Sequence, residues 1–521
     1  MPEYARQLSV VVGLFLMAFA VVALSGPGRI DVVDGQTRYE VSRSLVEHGD
    51  CDVRNPNVWF SVFPGRSGRL YTYYRFPQSV LGVGAVLLSD ATGPVREERR
   101  HFFFALTSAA AAAALAVLYL LWFRRQGLSE VRAVFWASAG ILCTPNWFYG
   151  TSTFDDILGT AAVVASLVVA TSRRWPSAPL RSLCSGLLVG LAFACKQPLV
   201  VFGLAALAAS DDPDEPRGRR VVGAVCLGMG VLAGIGLNVC YDAYKFPPST
   251  LASHVALLQR YVPVWPGHPL TALLALAVSP AAGVLWYCPP LLLCLHGFRN
   301  WSAGERPFLI ALLVGFAVFV GFVASMSIFK GDPSWGPRYL TPLFAVMWLF
   351  SSRGSACWRR ADTATVLTLG LFVQVAALSV DPHRLYVERK LPSGFGAVAP
   401  ILYFDPENAH IIQRPREIRE VWNARHQASK RFSPSPQPTF AFPVIDEVKG
   451  GPAAISEYKL LNSFRPWWVS FRYLPPEERP VSISGAAAAL VGTGLVGLLM
   501  TAYGVRRRTA PPQGCSGLFG E

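Results

Sequence analysis

The chain has 521 residues, of which 52% are hydrophobic and only 15% charged, and its net charge is +14. A soluble protein of this length would carry about a quarter of its residues as charges to cover its surface, so that class is excluded. The basic excess falls between apolar runs, at Arg124-Arg125, Arg173-Arg174, Arg217 with Arg219-Arg220, Arg353, Arg359-Arg360 and Arg506-Arg507-Arg508. That punctuation is how cytoplasmic loops look in a multi-pass protein, and it argues against a nucleic-acid partner.

Several windows are apolar for about 18 residues or more, enough to cross a bilayer. The reading is an all-α polytopic membrane protein with about 12 transmembrane helices. It would sit in the plasma or inner membrane with both termini cytoplasmic. The first run, 8–25, leads outward. Arg6, the apolar stretch and Ala23-Leu24-Ser25 could pass for a signal peptide, but the run is long for one and many spans follow.

Residues 26–100 form a large first outer loop. Within it Val80 to Leu88 is apolar but short and follows Pro77, which predicts a helix at the membrane interface and not a span. A span there would carry Arg124-Arg125 to the outside. Further spans are placed at 102–122, 131–148, 155–172, 181–195, 198–210 and 220–241. Cys195-Lys196-Gln197-Pro198 makes the tight turn between the fifth and sixth, and an outer loop then runs to Pro269. The span 270–297 contains Pro280, Pro289 and Pro290 and is expected to be kinked or partly re-entrant. Spans at 307–328, 338–352 and 363–380 complete a module over residues 1–380. Residues 381–484 are polar and read as a small outer domain of mixed or unknown structure, with Pro434, Pro436 and Pro438 in a loop. A last span, 485–504, precedes a cytoplasmic tail at 505–521. The ten cysteines form no CxxC pair and no metal-ligand spacing.

With this topology one face collects the polar groups. They are Asp31 and Asp34, the stretch from Asn146 to Asp155-Asp156, Lys196, Asn238 with Tyr241-Asp242, and the stretch Lys330 to Tyr339 that includes Arg338. Two carboxylate clusters and several cations at one interface suit transfer of a group from a phosphate leaving group. One acid would take the proton of an acceptor hydroxyl, and the cations would stabilise the developing phosphate charge. Each residue also has a plainer reading. Asp155-Asp156 could cap a helix, Lys196 could snorkel from a helix end, Arg338 could open a span, and Asp31 could be merely solvated. Tyr71, Tyr73 and Tyr74 could line a groove or anchor the interfacial helix. Trp467-Trp468 read as headgroup-level anchors, with a sugar platform as the alternative.

The segment Asp34-Gly-Gln-Thr-Arg-Tyr39-Glu-Val-Ser42-Arg43, continuing to Gly49-Asp50, resembles the first outer loop of GT-C superfamily glycosyltransferases. These polyprenyl-phosphate-sugar-dependent enzymes include the lipid A aminoarabinose transferases and protein O-mannosyltransferases. Tyr73-Tyr74-Arg75-Phe76-Pro77-Gln78 looks like their aromatic, basic and proline stretch. Gly190 to Lys196-Gln197-Pro198 is similar to their glycine-to-lysine-proline turn, and Trp335-Gly-Pro-Arg338-Tyr339-Leu340 resembles a motif of bacterial members. The resemblance covers roughly residues 1–380 as ordered signposts.

It implies Asp34 as catalytic base, Asp155 or Asp156 as a second acid, and a polyprenyl-phosphate sugar donor. The implied reaction is inverting transfer to an envelope glycan, lipid or protein on the outer side. Arg75, Lys196 and Arg338 become the candidate donor-phosphate contacts, and Tyr39, Tyr73 and Tyr74 the candidate groove. The chain departs from the family in two places. Gly35 stands where relatives keep a second acid. Tyr74 stands about where the aminoarabinose branch has a glutamate that helps form a metal site, so a divalent metal is in doubt and no cofactor is certain. Two other classes compete. A transporter or lipid flippase would need polar groups near the bilayer midplane, usually in repeated halves. Most spans lack such groups at their centres, and the proline-broken 270–297 run is that reading's best support. An inactive glycan- or lipid-binding scaffold would account for Gly35.

Overall fold

The computed structural model describes residues 2–506 apart from 56–57, 59–60, 173–174, 211–214, 248–266, 298–304, 332, 390–399 and 425–462. Much of the expected outer loop before Pro269, the Pro434–Pro438 loop and nearly all of the expected tail therefore lie outside the described residues.

The described chain is helical, with one small antiparallel hairpin. That hairpin pairs β1 (Val62–Pro64) with β2 (Leu70–Thr72), Val62 opposite Thr72. Among the described residues, seven helices are long and apolar enough to cross a membrane. They are α1 (Pro2–Ser25), α4 (Glu97–Arg125), α8 (Ala178–Cys195), α10 (Arg217–Lys245), α14 (Arg306–Ser325), α17 (Arg360–Ser379) and α21 (Ile483–Arg506). The other expected spans are shorter or broken, several of them at prolines. α5 (Glu130–Leu142) ends just before Thr144-Pro145, and α6 (Asn146–Thr151) restarts after it. α7 (Asp156–Ala170) has 15 residues. After Lys196 the chain forms a 3-10 turn (Gln197–Phe202) around Pro198 before α9 (Gly203–Ser210). The proline-rich 270–297 run divides into α11 (Pro269–Val278), α12 (Val284–Tyr287) and α13 (Leu291–Gly297). The 338–352 run becomes a 3-10 turn (Arg338–Leu340) and α15 (Thr341–Trp348), followed by α16 (Ser351–Ser355).

Helix directions follow from small residues that let backbones meet. A Cβ added to Gly190 would fall 2.8 Å from the Gly234 Cα. Gly223 faces Ser182, and Gly186 faces Leu227. The partners rise together along both helices, so α8 and α10 run parallel. The segment between them must therefore recross the bundle, and the 3-10 turn with α9 is that return. α1 and α21 pair the other way: Gly13 meets Gly497, and Val10 meets Gly504.

The two ends of the bundle differ in their ionic contacts. At one end Arg124 is paired with Glu130, Arg353 with Glu305 at 2.7 Å, and Gln126 with Ser352 at 2.7 Å. At the other end lies the first loop, with α2 (Val33–His48) and α3 (Pro77–Ala91). α3 buries Gly82, Val86 and Ser89 and exposes Val80, Leu81, Leu87 and Leu88. With 15 residues and an apolar outer face, it has the form of a surface-lying helix.

Candidate active site

α2 begins after Val32, whose backbone is extended, so Asp34 falls in the first turn, where a carboxylate complements the helix dipole. Arg38 lies one turn on and shares its face. The half-buried Asp34 accepts a hydrogen bond from the Tyr74 hydroxyl, Oη to Oδ1 at 2.6 Å. Arg38 lies 4.2 Å over the Tyr74 ring and reaches across to Asp155, Nη2 to Oδ2 at 2.9 Å. Burial works against the charge on Arg38, but Asp155 and Asp34 outweigh it and hold its pKa above the ordinary value. Burial and the Asp34 carboxylate push the Tyr74 hydroxyl well above its usual range, so it stays a proton donor.

Asp155 occupies the N-cap of α7 but makes no capping bond through its side chain. The capping explanation gives way to an ion pair with Arg38. Asp156 follows in the first turn of α7. Its Oδ1 accepts from Lys196 Nζ at 2.5 Å, and its Oδ2 lies 3.7 Å from Arg338 Nε. Lys196 sits where α8 ends, in extended backbone, and its Nζ lies 4.7 Å from the Tyr339 ring centroid. That ion pair replaces simple snorkelling. Arg338 stacks on Phe154 at 3.8 Å, in a loop braced by the fully buried Trp335. Asp34, Asp155 and Asp156 thus meet Arg38, Lys196 and Arg338, drawn from four separated parts of the chain.

Three expected site residues fall elsewhere. Arg75 turns to Asp242 at 3.3 Å, a carboxylate shared with the buried Lys245 at 3.2 Å. Tyr39 presents no surface to a groove: it is fully buried, edge-on to Phe104 and His101, because α2 packs its face on α3 and α4. Tyr73 packs with the apolar cluster of Val41, Cys51 and Phe63. Asp31 is not solvated. Its carboxylate takes the Thr153 N–H and hydroxyl, both at 2.8 Å, and Arg465 Nη2 at 2.8 Å. Trp467 is likewise no exposed anchor: it is buried, and its indole N–H caps the Ala23 carbonyl at the end of α1.

Sequence reasoning missed Arg38 and Arg465. The first was legible as the residue four after Asp34. The second lies 434 residues from its partner and carries no local signal.

Gly35 also has a structural cause. A Cβ there would sit 2.7 Å from the Thr153 Cβ, so a second acid has no room. As for a metal, no three His, Cys, Asp or Glu side chains gather in a metal-holding group among the described residues. Tyr74 offers Asp34 a hydroxyl donor, and Asp155 and Asp156 each face a cation. This donor set does not fit a metal site.

The chain is similar to the crystal structure of ArnT from Cupriavidus metallidurans bound to undecaprenyl phosphate. The TM-score is 0.46 at 14% identity, covering 94% of this chain and 77% of that one. The apo state of the same protein gives 0.46 at 13% identity, over 94% and 76%. No protein-family profile matches the chain, and no curated protein matches it.

Proposed function

We propose that the chain is an integral membrane glycosyltransferase that moves a sugar from a polyprenyl-phosphate donor to an acceptor hydroxyl on the extracytoplasmic face. The observation that carries this reading is the meeting of Asp34 with Asp155, Asp156, Arg38, Lys196 and Arg338 at the end of the bundle opposite the paired arginine loops. The donor class comes from the likeness of the first-loop, lysine-proline and Trp335–Leu340 segments to GT-C enzymes.

The reaction is a single displacement with inversion. The acceptor oxygen attacks the anomeric carbon, the bond from that carbon to the phosphate oxygen breaks, and polyprenyl phosphate leaves. Asp34 takes the acceptor proton. Lys196 and Arg338, held side by side by Asp156, meet the charge that grows on the leaving phosphate. Arg38 fixes Asp155 against α2 and so sets the distance between the base and these cations. No step runs through a metal.

The test is turnover of polyprenyl-phosphate sugars by the purified chain in nanodiscs. Asp34→Asn should lower turnover by about 10²–10⁴-fold, the range for a lost general base. Turnover indifferent to that change would remove Asp34 from the role. Transmembrane substrate flux with no sugar turnover would favour the transporter reading.

A further inference from the structure

We infer a second site, separate from the Asp34 cluster, that binds an anionic phospholipid by its phosphate. It is a cavity of about 940 Å³ where α1, α4 and α21 meet the segment after Trp467. Its polar wall carries Arg96, Arg99, Arg472 and Arg479. Its apolar wall includes Leu24 of α1 and Val491 of α21.

Neutral acceptors set three of these arginines in place. Arg96 donates to the Glu477 carbonyl. Arg99 donates to the Thr92 carbonyl at 2.9 Å, and Arg479 to those of Phe471 and Leu474 at 3.0 and 3.1 Å. A carbonyl orients a guanidinium without cancelling its charge. Arg472 is exposed and has no partner among the described residues. Among those residues the group touches one carboxylate, Glu98, 3.8 Å from Arg96. At the opposite end of the bundle, by contrast, Arg124 and Arg353 each have a close carboxylate. Three oriented guanidiniums and the unpaired Arg472, largely uncompensated together, form a phosphate site, since their planar forks match phosphate oxygens.

The apolar wall assigns that phosphate to a lipid. Trp468 lines the cavity, half-exposed, with its indole N–H on the Leu24 carbonyl at 2.9 Å. Beyond it α21 exposes Val491, Leu495, Val496 and Leu499 as a continuous surface for an acyl chain. A free phosphate would leave this wall bare.

Native mass spectrometry of the full chain, released from micelles with equal phosphatidylglycerol and phosphatidylcholine, tests the site. The wild type should retain phosphatidylglycerol in preference. Arg99→Gln and Arg472→Gln should each weaken that retention about fivefold, as for one basic residue at a charged lipid surface. Arg472 makes no contact that the fold needs, so its variant tests binding even if Arg99→Gln misfolds. Arg132→Gln, an exposed arginine at the other end of the bundle, should change nothing. Equal retention of the two lipids, or equal losses from Arg132→Gln and Arg472→Gln, would overturn the inference. Inorganic phosphate offered in lipid-free micelles separates the sources. No retention of it supports the lipid, whereas binding as tight as the lipid's would sink that assignment.

Discussion

Asp31 is saturated: its carboxylate takes three hydrogen bonds from Thr153 and Arg465, and its side chain is 4% exposed. Asp34, three residues on, is half-buried and takes a hydrogen bond from Tyr74 alongside the Arg38 guanidinium. The first belongs to a clamp that ties α1, the loop before α7 and the segment before Trp467 together. That clamp extends through Arg465 N–H to the Ser379 carbonyl and through Arg29 to Asp381. The second stands at the edge of a mixed cluster with an open side. A carboxylate whose oxygens are fully claimed holds a fold, and one with a donor on one side can still accept a proton.

The largest expected effect separates the two at once. Asp34→Asn should cost about 10²–10⁴-fold in turnover with an unchanged melting temperature, the range for a lost general base. Asp31→Asn should do the reverse. Leaving Arg465 buried without its partner costs about 3–5 kcal/mol, read as a lower melting temperature in detergent, while the folded fraction keeps its turnover. Equal loss of turnover in both folded variants would erase the distinction.

Next come the cations. Arg338→Lys keeps the charge but loses the fork and the stack on Phe154, and should lower turnover roughly 10- to 100-fold, the worth of a hydrogen bond to a charged group. A donor titration would show this in the rate at saturation as well as in the apparent affinity. Tyr74→Phe should cost about tenfold, the lower end of that range, with the fold intact. Gly35→Asp should lower the melting temperature without raising turnover, since its side chain would collide with Thr153. A more active Gly35→Asp would mean that the missing acid is a defect and not a packing requirement.

The smallest effect concerns acid. Burial disfavours the charge of Asp381, but His383, Arg29 and Arg465 overcome it and hold its pKa below the usual carboxylate range. A depressed folded pKa contributes stability above the unfolded value of about 4, and that contribution is lost as pH falls below it. Wild type should therefore lose melting temperature on acidification below about pH 4 more steeply than Asp381→Asn. Parallel profiles would take Asp381 out of the clamp.

Much of this was legible from local pattern. Asp34, Asp155, Asp156, Lys196 and Arg338 were grouped because loop charge assigned them to one face, and the structure brings those five together. That α3 is too short to span and carries an apolar outer face followed from a short apolar run after Pro77. What local pattern missed were partners. Nothing near Arg75 points to Asp242, 167 positions later in the chain. Nothing near Asp31 points to Arg465. Tyr39 was a groove candidate through the resemblance of the first loop, and the packing of α3 and α4 on α2 buries it instead.

The sequence by itself determined a bundle of membrane-crossing helices with two chemically different ends. Bilayer thickness sets how long an apolar run must be, and the absence of water there forces the backbone to satisfy itself within each helix. Both constraints act on contiguous residues, so they are written contiguously. Tertiary structure alone decided that Asp31, through Thr153 and Arg465, is spent on holding the fold. That choice depends on which helices touch, and glycines such as Gly190 and Gly234 bring backbones together at points far apart in the chain.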